Sequence, residues 1–391
     1  MSALTARCVG LLVAAVVLLG AGFRFAYPEL TLLGAAAGIA VAYAALTAAW
    51  RPRLEVTRSA DPDRVARGEA AMMTLTVRNA GRLRAASLVA EDRCGDRSVP
   101  VPLLRLRLRP GRDSTVRYEV PTDRRGVVPV GPLRVTRRDP LGLVTLSRPY
   151  GGTVPVWVHP RVHPLNAVPT GAGRSLDGRV DKVPHGSITF DSLREYVVGD
   201  ELRRVHWRTS ARVGELMVRE NVDTSLPRIV VLLDNRAVAH PQRVDGVAES
   251  FESACEAAAS VLVAAYREAL PVVLLLVAPE PAGLAAARGD EAAQGPLDRL
   301  AAAELADAGD LQPATARLRR ERLGDTLVFL TGPGGRDDMG AVGALRAAYP
   351  SVVVGVFGAT EPAPSGAAGL VVIDAADGAA FAAEWDGVRR W

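Results

Sequence analysis

Two apolar stretches open the chain, roughly Cys8 to Phe23 and Leu30 to Trp50, broken by Arg24-Phe25-Ala26-Tyr27-Pro28-Glu29. The second is long enough to cross a bilayer, because about 20 helical residues span a hydrocarbon layer about 30 Å thick. The first is shorter, and taken alone it resembles a cleaved signal peptide. Its charged leader is thin, however, and another apolar span follows at once. Together they predict a transmembrane helical hairpin over residues 1–52. Arg7 flanks its start and Arg51, Arg53 and Arg58 its end, against Arg24 and Glu29 in the loop, which keeps both ends inside. The expected location is the cell membrane, crossed by two N-terminal helices, with the soluble domains cytoplasmic.

From 53 to 160 the period shortens to alternation, with breaks at Gly, Pro, Asn and Asp. Met73 to Asn79 alternates and ends at a turn, and Leu104 to Arg109 places leucines on one face and arginines on the other. Further runs at Thr115 to Val120, Val127 to Thr136 and Val154 to Val158 predict an all-β, immunoglobulin-like sandwich of roughly seven strands. From 226 to 391 the pattern is alternating β and α. The apolar runs Ile229 to Leu233, Val272 to Val277, Leu327 to Leu330, Val352 to Phe357 and Leu370 to Ile373 are continuous, as in a parallel sheet covered on both faces. A helix between the first two carries Val247, Phe251, Ala254, Cys255, Ala258, Val261, Leu262 and Ala265 on one side and closes before Pro271, so Cys255 reads as packing. The predicted fold class is multidomain: hairpin, sandwich, and a doubly wound, Rossmann-like α/β domain.

Residues 161–225 lack domain length yet hold the densest polar motif, Asp191 to Arg212. Asp200 as N-cap and Gly214 as stop predict a helix of about three turns, with Arg204, Arg208 and Arg212 in one basic stripe. The stripe suits an anionic partner surface, a phosphate, or the acidic C-terminal part of the same chain. Leu202, Val205, His206 and Thr209 gather towards another face, where His206 reads as a packed, hydrogen-bonded histidine.

Composition narrows the chemistry. Forty-six of the 47 basic residues are arginine, so Lys182 is the only lysine and a phosphate-binding loop ending in Gly-Lys-Ser/Thr is excluded. Three scattered cysteines and five histidines show no metal-ligand spacing, and no Gly-x-Ser-x-Gly elbow occurs. The net charge of +4 hides an asymmetry: residues 51–150 carry 21 basic and 11 acidic side chains, whereas 229–391 carry 13 and 22. A basic region next to an apolar N-terminus and poor in aromatics favours a lipid bilayer over nucleic acid as its counter-charge. The cysteine usage agrees with a reducing compartment.

The segment from Asp191 to Glu220 contains Leu-Arg-Glu-Tyr, Gly-Asp, His-Trp-Arg-Thr-Ser-Ala-Arg and Gly-Glu-Leu-Met-Val-Arg-Glu. It resembles the signature of the domain of unknown function 58 family (DUF 58), as do Arg125-Gly126 to Leu133 and Arg138 to Leu143. Its signature positions here are Arg194, Glu195, Tyr196, Gly199, Asp200, Arg203, Arg204, His206, Trp207, Arg208, Ser210, Arg212 and Glu215. The resemblance implies a von Willebrand factor A-like C-terminal domain. It also implies two protein partners, a MoxR-type AAA+ ATPase and a transglutaminase-like membrane protein. Such a domain holds a divalent cation through Asp-x-Ser-x-Ser, and here the stretch is Asp234-Asn235-Arg236-Ala237-Val238. Only Asp234 remains of that ion site, Leu330-Thr331-Gly332-Pro333 lacks the later carboxylate, and an Asp234–Arg236 ion pair is expected instead. The expectation is a membrane-tethered, cytoplasmic-facing adaptor or scaffold that works with the MoxR-type ATPase through its A-like domain, with no cofactor, metal or catalytic residue. The alternative is an enzyme using His206 with Glu195 or Asp200 as acid and base.

Overall fold

The computed structural model describes residues 2–49, 53–81, 88–100, 111, 113–138, 142–169, 173–174, 180–181, 192–196, 205–220, 228–279, 294–359 and 370–388. The chain divides into two compact units, Met1–His159 and Pro160–Trp391. The apolar N-terminus therefore shares a unit with the strands that follow it.

In the first unit β1 (Ser2–Leu4) leads into α1 (Ala6–Phe25) and α2 (Pro28–Ala49). Thr5 caps α1, its Oγ1 accepting from the Cys8 N–H. Both helices are long and apolar enough to cross a membrane, with mean hydropathies of 2.2 and 1.7, and most of their surface is exposed. The turn is tighter than the six-residue interruption: α1 runs to Phe25, Ala26 caps it in the left-handed conformation, and Pro28 starts the next helix.

Among the described residues ten more strands follow: β2 (Leu54–Asp61), β3 (Arg64–Ala66), β4 (Ala71–Asn79), β5 (Leu88–Cys94), β6 (Arg97–Pro100), β7 (Asp113–Val120), β8 (Gly126–Val130), β9 (Leu133–Arg138), β10 (Val144–Tyr150) and β11 (Val154–His159). They make a three-stranded sheet, β2-β4-β7, and a larger one in the order β1-β10-β9-β5-β8-β11-β3 with β6 beside β5. Alternation decides which side faces in. Along β4, Ala71, Met73, Leu75 and Val77 are buried, and they meet Val130, Leu133, Val135, Val156 and Val158 of the larger sheet in one core. The run from Val127 to Thr136, expected as one strand, is two. It breaks at Gly131-Pro132, where proline has no N–H for the ladder. The Leu104 to Arg109 alternation lies outside the described residues.

One buried ion pair ties the two sheets. Arg58 of β2 makes a fork to Asp92 of β5, Nε to Oδ2 at 3.0 Å and a terminal nitrogen to Oδ1 at 3.1 Å, and the Tyr118 hydroxyl of β7 donates to Oδ2 at 2.7 Å. Arg58, counted above among the charges flanking the second apolar span, thus turns inward and is neutralised, because β2 alternation points it at Asp92. Burial, reinforced by Asp92, pushes the neighbouring Cys94 thiol up to about 11.

The second unit holds the short pairs β12 (Gly173–Arg174) with β13 (Val180–Asp181) and β14 (Ser192–Glu195) with β15 (Met217–Glu220), the helix α3 (Trp207–Val213) lying between the latter two in sequence. The remainder is β16 (Ile229–Leu233), α4 (Glu249–Arg267), β17 (Val272–Leu276), α5 (Gln294–Ala302), α6 (Leu311–Glu321), β18 (Thr326–Thr331), α7 (Met339–Gly343), β19 (Ser351–Phe357), β20 (Val371–Ala375) and α8 (Gly378–Gly387). The five long strands form one parallel sheet in the order β17-β16-β18-β19-β20. The continuous apolar runs explain themselves here. Ile229, Val231 and Leu233 pack against α4 and α8 on one face, while Val230 and Leu232 pack with Leu311, Leu318 and Tyr349 on the other. Each such fully buried side chain contributes about 1.5–3 kcal/mol. Cys255 lies in the α4 core stripe and is fully buried.

A strap, Arg161 to Val168, is bound to this sheet's helices. The Leu165 carbonyl accepts from Arg267 at 2.6 Å, the Ala167 carbonyl accepts from the Trp385 indole at 2.7 Å, and His163 meets Glu256 at 3.0 Å. Leu165 and Val168 are buried beneath these bonds, so the linker is part of the packed unit.

Candidate functional site

Two places in the second unit gather the residues singled out by sequence. The first is α3 with the β14–β15 ladder. The expected three-turn helix from Asp200 is shorter: Val205 bridges Val218, and the helix starts only at Trp207. His206 is its N-cap, the imidazole Nδ1 accepting from the Thr209 N–H at 3.2 Å and lying 2.8 Å from the Thr209 hydroxyl. The helix ends as predicted at Gly214, whose φ of 86° is the left-handed conformation that glycine adopts without a Cβ clash.

Ser210 is the buried side of this helix. Its hydroxyl donates to the His206 carbonyl and accepts from the Met217 N–H at 2.8 Å, so it clips α3 onto β15. The His206 N–H donates to the Met217 carbonyl, and the Tyr196 N–H to the Leu216 carbonyl, both at 2.7 Å. Arg194 and Glu195 sit in β14 opposite Val218 and Met217. Gly199, Asp200, Arg203 and Arg204 lie outside the described residues, so the expected three-arginine stripe is described for Arg208 and Arg212 only. Those two are exposed, as are Ala211 and Glu215, and Trp207 is 64 % exposed. At roughly 100° per residue, Trp207, Ala211, Arg208 and Arg212 share one arc of roughly 140°.

The second place is the carboxyl end of the parallel sheet. Asp234 follows β16 and is fully buried. Arg236 turns back on it with Nε to Oδ1 at 2.8 Å and a terminal nitrogen to Oδ2 at 2.7 Å, the expected pair in fork geometry. The same terminal nitrogen reaches Asp338 at 2.6 Å, and the Thr331 hydroxyl donates to Asp234 at 2.8 Å. The hydrogen bonds to Asp234 hold the Arg236 proton more firmly than usual, against the cost of burial.

Beneath it, His240 is fully buried between the Asp234 carbonyl at 2.9 Å and the Ser250 hydroxyl at 2.8 Å. Burial lowers its pKa below the ordinary histidine value, opposed by the Asp234 carbonyl and charge. Gly332 lets the chain pass: a Cβ there would collide with the Ala239 carbonyl and the His240 ring.

A divalent ion does not fit these residues. Two carboxylates and a hydroxyl do converge, but the Arg236 guanidinium stands bonded between them, placing positive charge where the ion would sit. Among the described residues no group of three or more His, Cys, Asp or Glu is placed to hold a metal. Sequence reasoning found Asp234 and Arg236 but missed Asp338, whose carboxylate arrives from a 3-10 turn over Pro333–Asp338 rather than from the strand end. His240 was likewise passed over, because nothing in its local sequence marks a residue bonded to a strand six positions earlier.

Residues 192–342 match a family described as "Protein of unknown function DUF58", a stretch holding both places and supporting that family for this chain. No curated protein matches. Among solved structures the chain is similar to a metal-bound CARDB domain from Pyrococcus furiosus, at 16 % identity over 25 % of this chain and 93 % of that one, with a TM-score of 0.17. It is also similar to a mutant β-glucuronidase 2 of Bacteroides uniformis, at 10 % identity over 78 % of this chain and 36 % of that one, with a TM-score of 0.16. Neither superposition reaches the level of a shared fold.

Proposed function

We propose that the protein is a membrane-tethered adaptor whose second unit docks a protein partner through α3. The observation that carries this is the exposed arc of Trp207, Ala211, Arg208 and Arg212. Tryptophan and arginine dominate interface hot spots, and an indole left 64 % in water is an expensive ornament on a helix that has Ser210 to hold it down. Two adjacent guanidinium groups select an acidic counter-surface and speed encounter with it.

The other parts of the reading agree. The two apolar helices supply the tether, spanning the membrane as a hairpin with both ends cytoplasmic. The two sheets of the first unit form an immunoglobulin-like sandwich on that tether. The α/β part is von Willebrand factor A-like, with Arg236 in place of the ion. The partner we assign is a cytoplasmic ATPase of the MoxR AAA+ type, with a transglutaminase-like membrane protein as a further neighbour.

Co-expression with such an ATPase tests the reading. Full-length protein extracted from membranes is expected to retain the ATPase, and Arg208→Glu/Arg212→Glu, which reverses two charges, to lose it while staying folded. Equal retention by both proteins would refute docking through α3.

A further inference from the structure

His240 belongs to a relay that ends on a hydroxyl. The Asp234 carbonyl can only accept, so the imidazole Nε2 carries the proton and donates to it at 2.9 Å. Nδ1 is then bare, and the Ser250 hydroxyl donates to it at 2.8 Å. Two neighbours fix the ring: Phe251 meets it edge-on with centroids 5.3 Å apart, and Gly332 lies so close that a Cβ would strike it. Burial lowers the His240 pKa, so the ring is neutral and its Nδ1 lone pair is present at neutral pH. A hydroxyl bonded to a base that a third group holds in place is the arrangement that activates a serine.

The relay stands where this kind of sheet meets ligands. The strands run β17-β16-β18-β19-β20, so the chain order reverses between β16 and β18, and open parallel sheets bind outside the carboxyl ends of their strands at such a point. Asp234 follows β16, Gly332 follows β18, and His240 lies against both. Ser250 is in the first turn of α4, the helix after β16, and is the member that reaches the surface, 9 % exposed where His240 is fully buried. Among the described residues the N–H groups of Glu249 and Ser250, the first two of α4, have no acceptor, and no side chain caps the helix. They are free to donate to an oxyanion formed at Ser250, where the helix dipole also favours negative charge. Exposed Glu249 and the acidic excess of residues 229–391, 22 against 13, oppose an anionic substrate. A hydroxyl so little exposed admits only a short acyl group.

We propose that Ser250 is a catalytic nucleophile, with His240 as its general base, for the hydrolysis of short carboxylic esters that are uncharged or cationic. Ser250 Oγ attacks the carbonyl carbon while its proton passes to Nδ1 of His240; the bond to the alkoxy oxygen breaks, and that proton leaves with the alcohol. Water attacks the acyl-serine in the same way, which releases the carboxylic acid and restores Ser250. The Asp234 carbonyl is a positioning group that steadies the imidazolium between the two transfers. This activity is separate from docking through α3.

A fluorophosphonate tests the relay, because Oγ displaces fluoride at phosphorus and keeps the phosphonyl group. The full-length protein in neutral detergent is labelled, the modified residue is mapped by peptide mass spectrometry, and hydrolysis of p-nitrophenyl acetate is followed alongside. The label is expected on Ser250, with hydrolysis above that of the heat-unfolded chain, and Ser250→Ala is expected to lose both. His240→Gln carries no base and is expected to label at least about 100-fold more slowly while remaining folded. Arg208→Gln/Arg212→Gln is expected to label as the parent does. A parent chain that takes no label overturns the proposal. So does a label placed elsewhere, Thr209 included, whose hydroxyl lies 2.8 Å from His206 Nδ1, and so does a folded His240→Gln chain labelled at the parental rate. Because the modified residue is mapped on the parent, a Ser250→Ala chain that fails to fold leaves the test intact.

Discussion

Replacing Arg236 with Ala is predicted to loosen the carboxyl end of the parallel sheet more than any exposed substitution in the second unit. Asp234 is fully buried and Arg236 nearly so, and the change removes two forked bonds to Asp234 at 2.8 and 2.7 Å and one to Asp338 at 2.6 Å. Breaking a buried pair from one side costs about 3–5 kcal/mol, because the surviving charge stays desolvated. Two donors remain on Asp234, the Thr331 hydroxyl and the backbone N–H of residue 236, which sets the expected loss near the lower end, about 3 kcal/mol. Hydrogen exchange on the full-length chain reads it directly: peptides covering β16 and β18 are expected to exchange about two orders of magnitude faster. Arg236→Lys keeps the charge but loses the fork and is expected to fall between. Acceleration below about threefold in Arg236→Ala would refute the argument that the guanidinium neutralises this site.

Magnesium or calcium is predicted to leave the melting temperature unchanged, since Arg236 fills the position between Asp234 and Asp338; a saturable, chelator-reversible rise of several degrees would contradict this. His240 is neutral in the fold because burial lowers its pKa, so the unfolded chain binds the extra proton first. Its contribution is complete above about pH 6.5 and declines as pH falls from there through the lowered folded value, and His240→Gln is expected to flatten the fall in melting temperature between about pH 7.5 and 5.5. A reporter active only outside the cytoplasm, fused to the C-terminus, is predicted to stay silent; a strong signal would reverse the assigned topology.

The elements most legible in the sequence were those whose pattern is set by one environment. Ile229–Leu233 is buried on both faces and reads as an unbroken apolar run, and Ala71–Asn79 is buried on one and alternates. The division of Val127 to Thr136 into two strands was marked by Gly131-Pro132, a signal outweighed by the alternation around it. Asp200 satisfied local capping rules, yet the cap is His206, because Val205 is already held in a bridge to Val218. Tertiary pairing overrode local propensity there. Asp234 and Arg236 are two residues apart, so their pairing was local information. The third member, Asp338, is 102 residues from Arg236 and joins only because β18 lies beside β16. In the same way Arg58 read as a flanking charge, since its partner Asp92 is on another strand 34 residues away.

Docking of a AAA+ ATPase through the exposed arc of α3 is tested most directly by site-specific photocrosslinking in membranes. A photoreactive residue at Ala211, between Trp207 and Arg208 on the helix surface, leaves all three side chains in place, and one at exposed Val244 serves as the control. The account predicts a crosslink to the co-expressed ATPase from position 211, none from position 244, and loss of the former in Arg208→Glu/Arg212→Glu. Crosslinking from position 244 with none from 211, or an Ala211 crosslink that survives reversal of both charges, would contradict it.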